Sequence, residues 1–138
     1  MKVSELSDAI LDLWVARAAG MDRQGRWGLA WISHGNPDRP RKPRCNVAHA
    51  DWTGAKVFAP SRKWSACGPI MERNLIGFTT GFSKGQWCAA VELTAETYFD
   101  GGVLGGEHMQ SGPTPLIAAM RTYVASKFGE EVPDEVPA

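Results

Sequence analysis

Residues 63–73, KWSACGPIMER, with Ser61 and Arg62 just before them, hold the densest cluster of chemically useful side chains in the chain. A helix starting near Gly68-Pro69 would turn unpaired backbone amides and the positive end of its dipole, roughly half a charge, toward a ligand. Such an end is a natural seat for an anion. Ser61 and Ser65 add hydroxyls, Arg62 and Lys63 add full positive charges, and the Trp64 indole offers a flat face for a base or another ring. Gly68 allows close backbone approach, and Glu72 can take a ligand hydroxyl or a base edge. The set Ser61, Lys63, Trp64, Ser65, Gly68 and Glu72 therefore suits a phosphate-bearing, nucleotide-like small molecule. The plainer alternative makes Trp64 a core residue, Gly68-Pro69 an ordinary helix start and the charges solvated. An ordinary start, however, needs a cap and at most a proline, not Ser-Arg-Lys-Trp-Ser in a row.

A second helix start, Gly112-Pro113-Thr114-Pro115, has similar grammar. Thr114 either caps its helix or serves as an outer ligand contact. The glycines from Gly101 to Gly106 read as a loop, either a lid or a plain connector. The run RPRKPR, residues 39–44, places four cations in six positions. With Trp27, Trp31 and Trp52 nearby it could serve a protein or nucleic-acid contact, by phosphate pairing and base stacking. A formal net charge of zero argues for a solvated, proline-stiffened loop instead. A small anionic or nucleotide-like ligand is thus the favoured partner; a protein- or nucleic-acid-interaction module is the alternative, with nucleic acid disfavoured by the charge balance.

Other chemistries find little support. Cys45, His49 and Asp51 have a weak metal-like spacing but lack the remaining ligands of a structural zinc site, so no metal is expected. Cys67 with His108 would make a nucleophilic pair only if the fold joined them, and an inert buried thiol is the simpler reading. Glu72 and Glu92 belong to no paired-carboxylate motif, so a hydrolytic mechanism is unsupported and no catalytic residue or cofactor is assigned. An enzyme acting on a phosphorylated small molecule would need an acid–base pair beside the same helix start.

The elements that must position these groups follow from pattern. With 138 residues, 43% apolar and 22% charged, the chain fits one domain over 1–138. Three irregularly spaced cysteines read as reduced thiols. No signal-peptide core and no membrane-length apolar run is present, which points to the cytoplasm. Ser7, Leu11, Trp14, Val15, Ala18 and Gly20 predict an amphipathic helix from about Asp8 to Ala19. Thr114, Pro115 and Gly129 bracket a second, with a wide apolar stripe through Leu116, Met120, Tyr123, Val124 and Phe128. Residues 27–33, 55–60, 75–82 and 86–93 predict strands. Residues 34–46 predict a Pro/Arg-rich excursion, and the acidic, proline-broken segment 130–138 a frayed tail. The expected fold is α+β, a small mostly antiparallel sheet flanked by an N-terminal and a C-terminal amphipathic helix. The wide stripe and six tryptophans also suit a homo-oligomer.

Three blocks, MKVSELSDAILDLWVARAAG, FAPSRKWSACGPIMERNLI and GPTPLIAAMRTYVASKFGEEV, together resemble the NinX-like family of small phage and prophage proteins. The segment from Met21 to Gly54 lies outside those blocks. The resemblance implies one domain and a phage-derived accessory protein working in a bacterial cytoplasm. It brings no reaction with it. By analogy with other small phage proteins, a bound host metabolite or signal would be sequestered.

Overall fold

The computed structural model describes residues 1–21, 27–36, 38–49, 55–81, 84–98 and 101–134. A short 3-10 turn, Val3–Glu5, leads into α1, Asp8–Ala18. Strands β1, Trp27–Asn36, β2, Arg39–His49, and β3, Ala55–Val57, follow. Then come α2, Trp64–Asn74, strands β4, Ile76–Thr80, β5, Trp87–Tyr98, and β6, Gly101–Gly112, and finally α3, Pro115–Phe128. The α+β class stands. In place of one sheet there are two three-stranded antiparallel sheets, ordered β1-β2-β3 and β4-β5-β6.

The helix α1 is the reason two sheets can coexist. Its Leu11, Trp14 and Val15 join a core with α2, α3 and the second sheet. Its Ala9, Leu13 and Ala16 join a second core with Ile32, Cys45 and Val47 of the first sheet. A helix apolar on two sides must be covered on two sides, and α3 and the first sheet do so. Trp14 meets Phe128 of α3 edge to face at 5.4 Å, and Arg17 lies over the Trp14 ring at 4.7 Å. Arg121 on α3 donates to the carbonyls of Leu6 and Ser111, both at 2.8 Å, tying the α1 entry to β6. The Thr122 hydroxyl donates to the Ala89 carbonyl at 2.9 Å, which satisfies a buried polar group where α3 crosses β5.

Two segments expected to be irregular are strands. The excursion at 34–46 is mostly β-hairpin: Ile32 pairs with Cys45 and Asn36 with Arg39. Its prolines are tolerated because β3 pairs with Asn46, Val47 and Ala48, and among the described residues the earlier part of β2 has no partner on that side. A register shift between Ser33 and Gly35 absorbs Arg41, Lys42 and Pro43 as a bulge. The glycine-rich run is no lid; it is β6, hydrogen-bonded to β5 from Trp87↔Gly112 to Tyr98↔Gly101. Its glycines serve close approach. A Cβ on Gly105 would sit 2.6 Å from Thr94 Oγ1, and one on Gly106, at φ +137, 2.7 Å from Ala90 Cβ. Both positions face the bulged part of β5, where a side chain would push the strands apart.

The acidic tail is docked through residue 134. Val132 is buried and its amide donates to the Met1 carbonyl at 2.9 Å. The N-terminal ammonium pairs with Asp134 at 2.6 Å. Residues 135–138 lie outside the described residues, as does Trp52.

Two glycines should respond oppositely to alanine. Gly106→Ala, strained and clashing, should destabilise the protein by about 1–3 kcal/mol. Gly68→Ala, in the interior of α2 with open space around it, should stabilise it by about 0.4–1 kcal/mol. Urea midpoints measured side by side check both signs.

Candidate functional site

The opening cluster begins on a tight turn. The amides of Arg62 and Lys63 both donate to the Ala59 carbonyl, at 3.0 and 2.9 Å. Between them and the protein interior, the Ser61 amide donates to Oδ1 of Asp12 at 2.8 Å. Both residues are sealed: Asp12 is 1% exposed and Ser61 3%. Burial pushes the Asp12 carboxyl up to about 6, against the pull of the Ser61 amide and hydroxyl and of the Arg62 charge. The Ser61 hydroxyl is buried near this carboxylate but, unlike the amide, does not meet hydrogen-bond geometry with it, so the amide is the contact that counts. Ser61 is thus turned into the interior, apart from the rest of its predicted set, and pins the turn to α1.

The helix α2 starts earlier than the sequence suggests. Lys63 is its N-cap position and Trp64 its first residue, and Pro69 lies inside it. The Ala66 and Cys67 amides both reach the Lys63 carbonyl, at 3.2 and 3.0 Å. The open donors are therefore those of Trp64 and Ser65, one turn before Gly68. Pro69 has no N–H to give the Ser65 carbonyl, a local cost the helix absorbs because Cys67 and Met71 anchor its inner side in the core.

At 3.6 residues per turn, Trp64, Ser65, Gly68 and Glu72 fall within about 100° of arc on one side of α2. Trp64, Ser65 and Glu72 are exposed and Gly68 is half-buried. Lys63 and Arg62 stand exposed at the head of this stripe. Trp64 is 53% exposed and rests on Phe78, ring centroids 5.6 Å apart; Phe78 in turn meets Trp87 at 5.9 Å. Trp87 pairs with Gly112, which leads directly to the start of α3. There Thr114 is exposed and its Oγ1 accepts from the Ile117 amide at 3.1 Å, so it caps α3. Phe78 and Trp87 thus run from the α2 start to the sheet end that feeds α3.

Neither Phe78 nor Trp87 was singled out from the sequence as part of the site. The available signal was strand alternation: Phe78 pairs with Ala89, two residues from Trp87 on the same face. Asp12 is a second residue of the site that the sequence reading did not single out. A carboxylate flanked by apolar residues on both faces of a helix was its signal.

The thiols offer no nucleophile. Burial, with the nearby Asp12 charge, pushes Cys45 and Cys67 up to about 12, and burial raises Cys88 as well. Cys67 is enclosed in the main core while His108 is exposed on β6. Among the described residues no three His, Cys, Asp or Glu side chains gather as a metal site; Asp51 lies outside them. A separate groove of about 400 Å³ opens where the β2 bulge stands off from α1, lined by Ser7, Asp8, Ala9, Ile10, Lys42, Pro43 and Arg44. Among the described residues no helix is long and apolar enough to cross a membrane.

The sign of the Asp12 effect is testable. Its folded pKa, about 6, lies above the ordinary value of 3.8. The folded state therefore holds this proton more tightly, and the Asp12 contribution to stability falls as pH rises from about 4 to 6 and stays lost above. The amount is on the order of 3 kcal/mol at most. Asp12→Asn keeps an acceptor for the Ser61 amide and should flatten that part of the profile. Asp12→Ala strands the amide and should cost about 1–3 kcal/mol at pH 7. Urea denaturation at pH 4.5, 6 and 7.5 measures both; an Asn variant with the wild-type pH slope would exclude Asp12 as its source.

A protein-family model described as "Bacteriophage P22, NinX" matches residues 2–127, running through the hairpin of β1 and β2 as well as through α1, α2 and α3. No curated protein matches the chain significantly. A match over nearly the whole length, on a fold with the expected N- and C-terminal helices, makes this chain a member of the phage P22 NinX family.

Proposed function

We propose that the chain is a non-catalytic phage accessory protein that binds an anionic, nucleotide-like small molecule at the start of α2. It acts in the bacterial cytoplasm and sequesters a host metabolite or signal, alone or as a homo-oligomer. The observation that carries this reading is the half-exposed Trp64 indole, backed by Phe78, beside exposed Lys63 and the open amides of Trp64 and Ser65. A large aromatic ring left that far in water costs solvation free energy that burial would recover. Backed by Phe78, it holds its orientation and presents a plane.

The geometry supports the following division of labour. A ring of the ligand stacks on Trp64, a contact worth about 1–3 kcal/mol for a nucleobase. Its phosphate takes the open amides and the Lys63 and Arg62 charges. Gly68 leaves the side of α2 low enough for the ligand to lie along it, and Glu72 accepts from a hydroxyl or an exocyclic amine. Thr114, with its oxygen engaged as a cap, retains a hydroxyl proton to donate from the α3 side. Ser61 acts through the backbone: its amide bond to Asp12 fixes the turn that carries Arg62 and Lys63.

Thermal denaturation with millimolar nucleoside mono- and diphosphates tests the reading. A binder present at 100 times its Kd adds about 2.7 kcal/mol, a rise of several degrees for a chain of this size. Trp64→Ala should lower the affinity about tenfold or more and Lys63→Gln severalfold, with unliganded stability nearly unchanged. No rise with any nucleotide, or full binding by both variants, sinks it.

A further inference from the structure

The hairpin of β1 and β2 carries a second surface. Ile32, Cys45 and Val47 are buried against α1. Strand alternation therefore turns Trp31, Ser33, Arg44 and Asn46 to the opposite face. Two observations fix that assignment. Trp31 pairs directly with Asn46 and Ser33 with Arg44, and the Asn46 side-chain amide donates to Ser33 Oγ at 2.6 Å across the strands. The β3 residue opposite Asn46 is Val57, 48% exposed. Among the described elements, α1 is the only helix packed on this sheet, and it lies on the other side.

We infer that this outer face is a contact surface for single-stranded nucleic acid. Three features select that occupant. The first is charge: residues 38–44, DRPRKPR, bring four cations against one carboxylate, although the whole chain is neutral. Lys42 is exposed on the bulge and has no carboxylate partner among the described residues. A polyanion releases counterions on meeting such a segment. The second is the ring: Trp31 lies on the same face as Arg44, on the neighbouring strand and two residue pairs along the ladder. Unpaired bases stack on an aromatic ring set in a sheet, whereas bases inside a duplex do not reach one. The third is the neutral polar pair Ser33 and Asn46, whose remaining donors and acceptors suit base edges and sugar hydroxyls. The strand's phosphates accordingly follow the bulge, and its bases lie over the sheet. This surface is on a different layer from the α2 start and does not depend on that site.

Fluorescence anisotropy of the full chain with labelled dT15 tests the inference. The expected results are saturable binding that weakens with added salt, quenching of tryptophan emission, and weaker binding of a duplex of equal length. Lys42→Gln with Arg44→Gln should lower the affinity about tenfold and make the salt dependence shallower. Trp31→Phe, which keeps a ring in the sheet, should retain most binding, while Trp31→Ala should lose it. Both tryptophan variants are checked for folding by circular dichroism, and the charge variant stands by itself if Trp31→Ala unfolds. Trp64→Ala should bind dT15 normally. The inference is overturned if dT15 does not bind, if polyglutamate binds as tightly, or if the charge variant binds unchanged. It is also overturned if Trp64→Ala alone abolishes binding, which would place the strand at α2 and leave the nucleotide reading standing.

Discussion

The fold turns on one carboxylate in an apolar helix. Helix α1 is enclosed by α3 on one side and the first sheet on another, and Ala9, Leu11, Leu13, Trp14, Val15 and Ala16 are all buried. Asp12 sits among them with almost no exposure. A buried carboxylate needs partners or a proton. The Ser61 amide supplies one hydrogen bond, and the raised pKa marks what that bond leaves uncompensated. The return on this costly arrangement is specificity. It ties α1, among the described elements the only helix that touches both cores, to the turn that launches α2.

That tie explains why the surface of α2 can be both exposed and ordered. The turn from Ala59 to Lys63 is closed by two amides on one carbonyl and by the Asp12 contact. Its backbone entropy is spent in folding, before any ligand arrives, so the open amides of Trp64 and Ser65 are held ready. Phe78 does the same for the indole. Leu75, which ends α2 in the left-handed region at φ 56, is held there by a carbonyl that accepts from the Glu92 amide at 2.7 Å. Glycine would be the ordinary choice for that conformation. The cross-strand hydrogen bond substitutes for it, and the second sheet thereby fixes the far end of α2 as firmly as Asp12 fixes the near end.

What the sequence disclosed, and what it hid, follow the reach of the forces involved. Helices α1 and α3 were legible because their signals are local: apolar spacing, the Thr114 cap and the terminating glycines. The strands at β4 and β5 were legible for the same reason. Strand β6 was not, since its glycines answer to Thr94 and Ala90 across the ladder rather than to anything nearby in the chain. Strand β2 was hidden by prolines that only an unpaired edge and a bulge make tolerable. The division into two sheets was hidden as well, because alternation reveals that a strand exists but not which strand it pairs with. At the site, Trp64, Ser65, Gly68 and Glu72 come out on one side of a helix, with Lys63 at its N-cap, whose start was misplaced by the Pro69 preference for a first turn. Ser61 could not be told from an exposed serine, since its burial depends on an aspartate 49 positions away in the chain.

The two surfaces lie on opposite halves of a layered body: the first sheet, then α1, then α3, then the second sheet. Each is free to carry polar and aromatic groups because α1 already satisfies the apolar demand of both halves from within. A three-stranded sheet needs an apolar face packed on something to be stable, and the first sheet has it in Ile32, Cys45 and Val47, which share a core with Ala9, Leu13 and Ala16 of α1. Packing on that side allows the outer face to be polar without loss of the core beneath it. The same logic applies to α2, whose inner side is fixed by Cys67 and Met71. With its own apolar surface so fully committed, α1 has little room to tilt, and the physical expectation is that a change at either proposed surface is not passed to the other.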